Sequence, residues 1–176
     1  MSRDLSSADL HYCPRCRGEL IWLDVESSGV LHPACSECGG VLWQNRKPSV
    51  EAVILRGESS QSEILLGRRM VDGLWDLPGG FLNATDSLEG VLLRECKREM
   101  GIEVTVGDIL GAFEDAFAGI PLVSIAFVCK LKAGEPTPAP PIDAVQWFPL
   151  FNPPPVAFAA AERAVLRAQN EMNLRA

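Results

Sequence analysis

An α/β fold is expected for most of this chain: a mixed sheet with a helix on each face, preceded by a small cysteine-bound module. Three features predict it. Short apolar runs with strand-like alternation are divided by turn residues, two segments have helical periodicity, and four cysteines near the start form two C-x2-C pairs. With 176 residues, 47% of them hydrophobic, the chain can bury one ordinary core and carry a small appendage.

The cysteine pairs come first. Residues 13–20 read CPRCRGEL and residues 35–42 read CSECGGVL, two copies of C-x2-C-x-G-x-L. Each copy suits a knuckle whose backbone N–H groups turn toward the thiolates, and four sulfurs at this spacing suit tetrahedral zinc. The segment resembles a zinc ribbon. Cys13, Cys16, Cys35 and Cys38 are the expected ligands of a structural Zn, and residues 1–45 the expected ribbon. His32 stands beside a set that is already complete, and Ile21–Val25 alternates as a strand between the pairs. So small a module depends on metal binding for its folding free energy. Cys96 and Cys129 lie in apolar stretches and read as buried, inert thiols.

The main domain is expected over 46–176. Ser49–Leu55 and Glu63–Arg68 read as a hairpin across the polar turn GESSQS. Leu74–Pro78 is a short strand entering a Gly79-Gly80 turn. A helix follows from about Ser87 to Met100, with Asp86 or Ser87 as N-cap and Gly101 as C-cap. Val104–Phe113, Leu122–Leu131 and Ala144–Pro149 read as strands, with the proline-rich GEPTPAPP as a loop between the last two. Val156–Asn170 is an alanine-rich helix with Phe158, Ala161, Val165 and Leu166 on its sheet-facing side.

A net charge of −7 argues against an extended nucleic-acid surface, which needs clustered Lys and Arg, but leaves single nucleotides as ligands. The first residues, MSRDLSSADLHYC, lack the apolar core of a secretion signal, and no run approaches a membrane span. A cytoplasmic protein without membrane contact is expected.

Residues 79–102, GGFLNATDSLEGVLLRECKREMGI, carry the chemistry. Glu95 and Glu99, four apart, lie one above the other on a helix and together suit a hard divalent cation. The segment resembles the Nudix box, G-x5-E-x7-R-E-U-x-E-E-x-G-U with U aliphatic. The match begins at Gly80 and holds at Arg94, Glu95, Glu99, Gly101 and Ile102, with Cys96 at an aliphatic position. Asp86 replaces the first Glu, and Arg98 replaces the first of the Glu-Glu pair. The resemblance covers about Ser49–Asn170 and implies an α/β/α sandwich that hydrolyses nucleoside diphosphates linked to another moiety. It assigns Mg or Mn to Glu95, Glu99 and a carbonyl of the Gly79-Gly80 turn, here Gly80, and pairs Arg94 with Asp86. Relatives are often homodimers.

Three readings of Arg98 stand open: it extends to solvent and leaves a slower enzyme, it contacts the diphosphate through its planar fork, or it fills the site as a salt bridge in a nucleotide-binding protein that does not cleave. Glu95, Glu114, Asp115 and Asp143 are candidate general bases, and Arg68, Arg98 and Glu114 candidate substrate contacts, with Arg69 beside Arg68. Trp75, between Leu74 and Leu77, reads as core rather than as a base-stacking ring. The chain lacks the Ser-Gln-Pro-Trp-Pro-Phe-Pro run of NADH diphosphatases and looks more like small ribbon-bearing relatives of ADP-ribose and FAD diphosphatases, so ADP-ribose or a dinucleotide is the expected substrate.

Overall fold

The computed structural model describes residues 11–43 and 45–174; the expectation for the first ten residues lies outside them. The chain divides into two compact units, one up to Arg46 with Ala118–Ile120, the other Lys47–Phe117 with Pro121 onward.

In the first unit β1 (Leu20–Leu23) pairs antiparallel with β2 (His32–Cys35), in the register Leu20↔Cys35 to Leu23↔His32. The two knuckles are built alike. Cys13 N–H donates to Gly18 O at 2.8 Å, and Cys35 N–H to Gly40 O at 2.9 Å. The residue after the second cysteine is left-handed in both, Arg17 at φ 64° and Gly39 at φ 68°. Glycine is therefore required one place later than that bend in the first knuckle: a Cβ on Gly18 would lie 2.6 Å from Glu37 Cγ and 3.0 Å from Cys35 Sγ.

Among the described residues the second unit holds seven strands and two α-helices. β3 (Lys47–Arg56), β4 (Glu63–Arg69), β5 (Trp75–Asp76), β6 (Gly79–Phe81), β7 (Glu103–Phe117), β8 (Ile120–Ala133) and β9 (Ile142–Pro149) make one mixed sheet. Its order is β5-β4-β3-β8-β7, with β9 also on β4 and β6 also on β3. β3 and β8 run parallel from Lys47↔Leu122 to Leu55↔Lys130. Helix α1 (Leu88–Met100) covers one face through Val91, Leu92, Cys96 and Met100, packed on Val50, Ala52 and Ile54. Helix α2 (Ala159–Leu174) covers the other through Ala161, Ala164 and Val165, packed on Val53 and Ala126. The alternation of β3 thus serves two cores. Among the described residues no helix is long and apolar enough to cross a membrane.

Several expectations need correction. Gly79-Gly80 is not a turn but the start of β6, antiparallel to β3 in the register Ser49↔Phe81 to Glu51↔Gly79. The glycines serve close approach rather than positive φ: a Cβ on Gly79 would stand 2.2 Å from the Val50 carbonyl oxygen. The β3–β4 hairpin is paired only at Leu55↔Ile64 and Arg56↔Glu63, because lower down β3 exchanges β4 for β6. Glu114 and Asp115 lie inside β7, not in a polar turn, since the β7–β8 connection is the two-residue bend Ala118-Gly119, both at positive φ. Leu166 is 55% exposed, and the inward face of α2 is made by small alanines instead. Helix α2 also starts three residues later than its composition suggests.

Helix α1 follows its sequence closely. Ser87 is the N-cap and its Oγ accepts from Gly90 N–H at 3.0 Å, while Gly101 at φ 68° ends the helix. The contact of Gly79 with β3 predicts that Gly79→Ala lowers unfolding free energy by about 1–3 kcal/mol, the usual cost of overpacking, as read by urea denaturation. A loss under about 0.5 kcal/mol, the range of ordinary surface substitutions, would show that the strand pair yields freely.

Candidate active site

Where β3 releases β4 and takes up β6, the sheet opens on a cavity of about 490 Å³. Helix α1 supplies one side. Its apolar face anchors it to the sheet, and Glu95 and Glu99, at the border of that face, are only 7% and 8% exposed. Gly80 makes their approach possible, since a Cβ there would meet Glu95 Cγ at 3.1 Å.

Arginines surround these carboxylates. Arg94 Nε donates to Glu95 Oε1 at 3.0 Å, and Arg94 Nη1 reaches Asp86 Oδ1 at 3.4 Å. The shorter acidic side chain at 86 therefore still meets Arg94, and two N–H groups of Asn83 hold the Asp86 carboxyl below its usual range with help from that cation. Arg98 bridges the pair: its Nε donates to Glu95 Oε2 at 2.7 Å, its Nη2 to Glu99 Oε1 at 2.7 Å, and its Nη1 to Pro140 O at 3.3 Å. Burial opposes the Arg98 cation, but Glu95 and Glu99 outweigh it and raise its pKa further. Burial pushes the Glu99 carboxyl up to about 6, against the pull of Arg98 and with the repulsion of Glu95 added. The Arg98 side chain as a whole remains about half exposed, at 48%.

The donor set fits a divalent cation. Two hard carboxylates converge at the cavity, and of the two arginines on them only Arg98, its side chain half exposed, lies on the cavity side.

The deeper part of the cavity was not foreseen. Glu51 on β3 and Asp76 on β5 line it, together with Ser124 on β8. Burial pushes Glu51 up to about 7, with Asp115 adding to the effect and the nearby Ser124 opposing it. Burial also pushes Asp76 up to about 7, reinforced by Glu51 and opposed by Leu77 N–H and Arg69. Arg69 Nη1 stands 3.6 Å from Asp76 Oδ2. A wall of rings borders these groups, Phe81 and Phe158 each 6.0 Å from Phe117 between centroids, with the Arg69 guanidinium 4.5 Å over Phe158. The sequence held one signal for Glu51, a lone acid in the otherwise apolar run VEAVIL.

Of the residues singled out from sequence, Gly80, Glu95, Arg98, Glu99, Arg69 and Asp115 line the cavity. Arg94 does not, and acts on Glu95 from behind. Arg68 is directed elsewhere: consecutive strand residues point to opposite faces, and it pairs with Asp143 at 2.8 Å, both side chains well exposed. Glu114 faces away from the cavity for the same reason, and its carbonyl accepts from Arg163. Asp115 is committed to structure. Its Oδ1 accepts from its own neighbour Ala116 N–H and its Oδ2 from Ala160 N–H, both at 2.7 Å, so it caps α2 across the sheet and explains that helix's late start. Trp75 lies in the core, edge-on to Phe148 at 4.7 Å.

In the first unit the four sulfurs of Cys13, Cys16, Cys35 and Cys38 lie within 4.8 Å of one another. The pairs Cys16–Cys35 and Cys13–Cys38 are 3.4 and 3.8 Å apart, near the roughly 3.8 Å edge of a tetrahedron with Zn–S bonds of about 2.3 Å. Backbone N–H groups from Cys38 and Glu37 bring Cys35 down to about 7. Gly18 N–H favours the Cys16 thiolate, yet the neighbouring sulfurs, with burial, push that thiol up to about 12. His32 is not in this group, and its ring packs on Trp43 at 4.9 Å.

Comparison with known proteins agrees with this geometry. The NUDIX domain family model matches residues 45–169. An NAD-capped RNA hydrolase, NudC, of Pseudomonas aeruginosa is 30% identical over 136 residues, covering 76% of this chain and 46% of its own length, so the chain spans about half the length of that relative. A NUDIX hydrolase from Nitrosomonas europaea superposes with a TM-score of 0.71 over 92% of both chains at 24% identity. An ADP-ribose pyrophosphatase from Streptococcus suis superposes with a TM-score of 0.59 at 25% identity, covering 72% of this chain and 92% of its own.

The raised Glu51 carboxyl gives a stability test. Folding lifts it from an ordinary 4.5 to about 7, so the folded chain holds the proton more tightly and this group's contribution falls as pH rises through that window. Glu51→Gln should therefore gain roughly 1–3 kcal/mol on wild type between about pH 4.5 and about pH 8 in urea denaturation. A difference independent of pH would contradict the assignment.

Proposed function

The chain belongs to the NUDIX domain family, and from that premise we propose that it hydrolyses the diphosphate bond of a nucleoside diphosphate linked to another moiety, ADP-ribose or a dinucleotide such as FAD being favoured. One observation carries the reading. Glu95 and Glu99, both buried, converge beside Gly80 at the edge of a nucleotide-sized cavity and already hold a cation between them. The similarity to an ADP-ribose pyrophosphatase supports the substrate class.

Mg or Mn, held by Glu95, Glu99 and the Gly80 carbonyl, would neutralise diphosphate oxygens and orient the attacking water. The chain's residues do the rest. Arg94 fixes the Glu95 carboxylate, and Asp86 in turn restrains Arg94. Arg98 is half exposed, so releasing the carboxylates forfeits only a modest ion-pair energy, and its freed fork is suited to the diphosphate. Among the candidate bases, Asp115 is occupied as a helix cap while Glu114 and Asp143 lie off the cavity, which leaves the task to a box carboxylate, Glu95. We assign residues 1–45 to a structural zinc ribbon held by Cys13, Cys16, Cys35 and Cys38, and 46–176 to the hydrolase domain.

A second reading, nucleotide binding without cleavage, rests on the bridge that Arg98 makes to both carboxylates. Product analysis separates the two. With Mg2+, ADP-ribose should give AMP and ribose phosphate by mass, and Glu99→Gln should lower kcat/KM by about a hundredfold or more at an unchanged melting temperature. Full turnover in that variant would reject the metal site, and nucleotide binding without products in wild type would favour the second reading.

A further inference from the structure

Two buried polar atoms in the cavity have no hydrogen-bond partner: Glu51 Oε2 and Ser124 Oγ. Ser124 is 1% exposed and lines the cavity with Glu51. The parallel register places Ser49 opposite Ser124 and Glu51 opposite Ala126, so the two orphaned groups sit diagonally on the same face of adjacent strands. The Ser124 hydroxyl lies close enough to favour the Glu51 carboxylate, but neither atom completes a hydrogen bond, and an unmet buried polar atom costs about 1–3 kcal/mol. These groups take no part in the box, whose carboxylates are already paired with arginines.

The surroundings restrict what could satisfy them. Carboxyl groups at Glu51 and Asp76 exclude a phosphate or other anion from the floor. What the two atoms lack is hydrogen-bond partners, Glu51 Oε2 being an acceptor and the Ser124 hydroxyl able to donate. The walls are apolar and aromatic, with Phe117 and Phe158 beside Leu77 and Leu122. A flat ring that donates N–H at one edge and stacks through its faces meets all three conditions. Glu51 Oε2 accepts, and the Ser124 hydroxyl donates to a neighbouring ring nitrogen.

We propose that Glu51 and Ser124 form the specificity floor of the cavity, reading a nucleobase that carries an exocyclic amino group next to a ring nitrogen. This rests on the proposed nucleotide substrate and names its base. Replacing that amino group by a keto oxygen would set two acceptors face to face, which buried sites reject strongly.

The test is binding of AMP and IMP, which differ by that one group, measured by calorimetry on the full chain without divalent cation. Wild type should bind AMP about tenfold more tightly than IMP. Glu51→Gln, whose amide presents N–H as well as oxygen, should bring the two within about twofold or reverse them, and Ser124→Ala should weaken AMP by about threefold or more. Equal affinity in wild type, binding of neither nucleotide, or a preference unchanged in a folded Glu51→Gln overturns the proposal. Should Glu51→Gln fail to fold, the wild-type ratio and Ser124→Ala decide it. A chain that prefers AMP but cleaves nothing loses the hydrolase reading and keeps this one; a chain that cleaves without base preference does the reverse.

Discussion

Backbone approach without side chains governs the catalytic unit. Gly79 lies so near the Val50 carbonyl that no Cβ fits, and the next residue, Gly80, leaves room for Glu95. Because β6 can press onto β3 there, β4 must part from β3, and the sheet opens at the point where helix α1 delivers its two acids. Cavity, helix placement and carboxylate burial are consequences of one tight strand pair. The apolar face of α1, through Leu92 and Met100, then makes that position stable against the sheet.

Placing two acids in a site so little exposed raises an electrostatic problem, and this chain meets it with arginine. Arg94 and Arg98 take three carboxylate oxygens of Glu95 and Glu99 between them. Arg94 can stay during the chemistry because it contacts Glu95 from outside the cavity. Arg98 sits inside, on the atoms that would face a divalent ion. Its energy must therefore be weighed against that ion. A side chain about half exposed is held by a partly screened interaction, whereas a divalent ion would bring twice the charge to the same two oxygens. On the proposed reading the balance would favour exchange, and Arg98 would tune the cation affinity of the site.

Local physics made much of this legible in the sequence. The α1 boundaries were readable because Ser87 and Gly101 cap it within a turn, and the cysteine cluster because its ligand spacing is short and repeated. What escaped depends on contacts distant in sequence. Gly79-Gly80 resembles a turn until β3 is placed beside it. Asp115 resembles a catalytic acid until Ala160, 45 residues away, is found donating to it. Arg68 and Arg69 are equivalent in composition, and the register irregularity between them in the β4–β9 pairing is a tertiary feature. Glu51 is not legible in the sequence because a single acid in a strand ordinarily faces water, and the split of the sheet puts this one indoors.

Glu95 and Glu99 are proposed as a divalent-cation site that Arg98 competes for, and calorimetric titration of Mg2+ into wild type and Arg98→Gln tests this most directly. Removing the competing charge should tighten Mg2+ binding by about threefold or more, since a partly exposed ion pair is worth up to about 1 kcal/mol. Equal or weaker affinity in Arg98→Gln would contradict it, for then the guanidinium would not occupy the place of the ion.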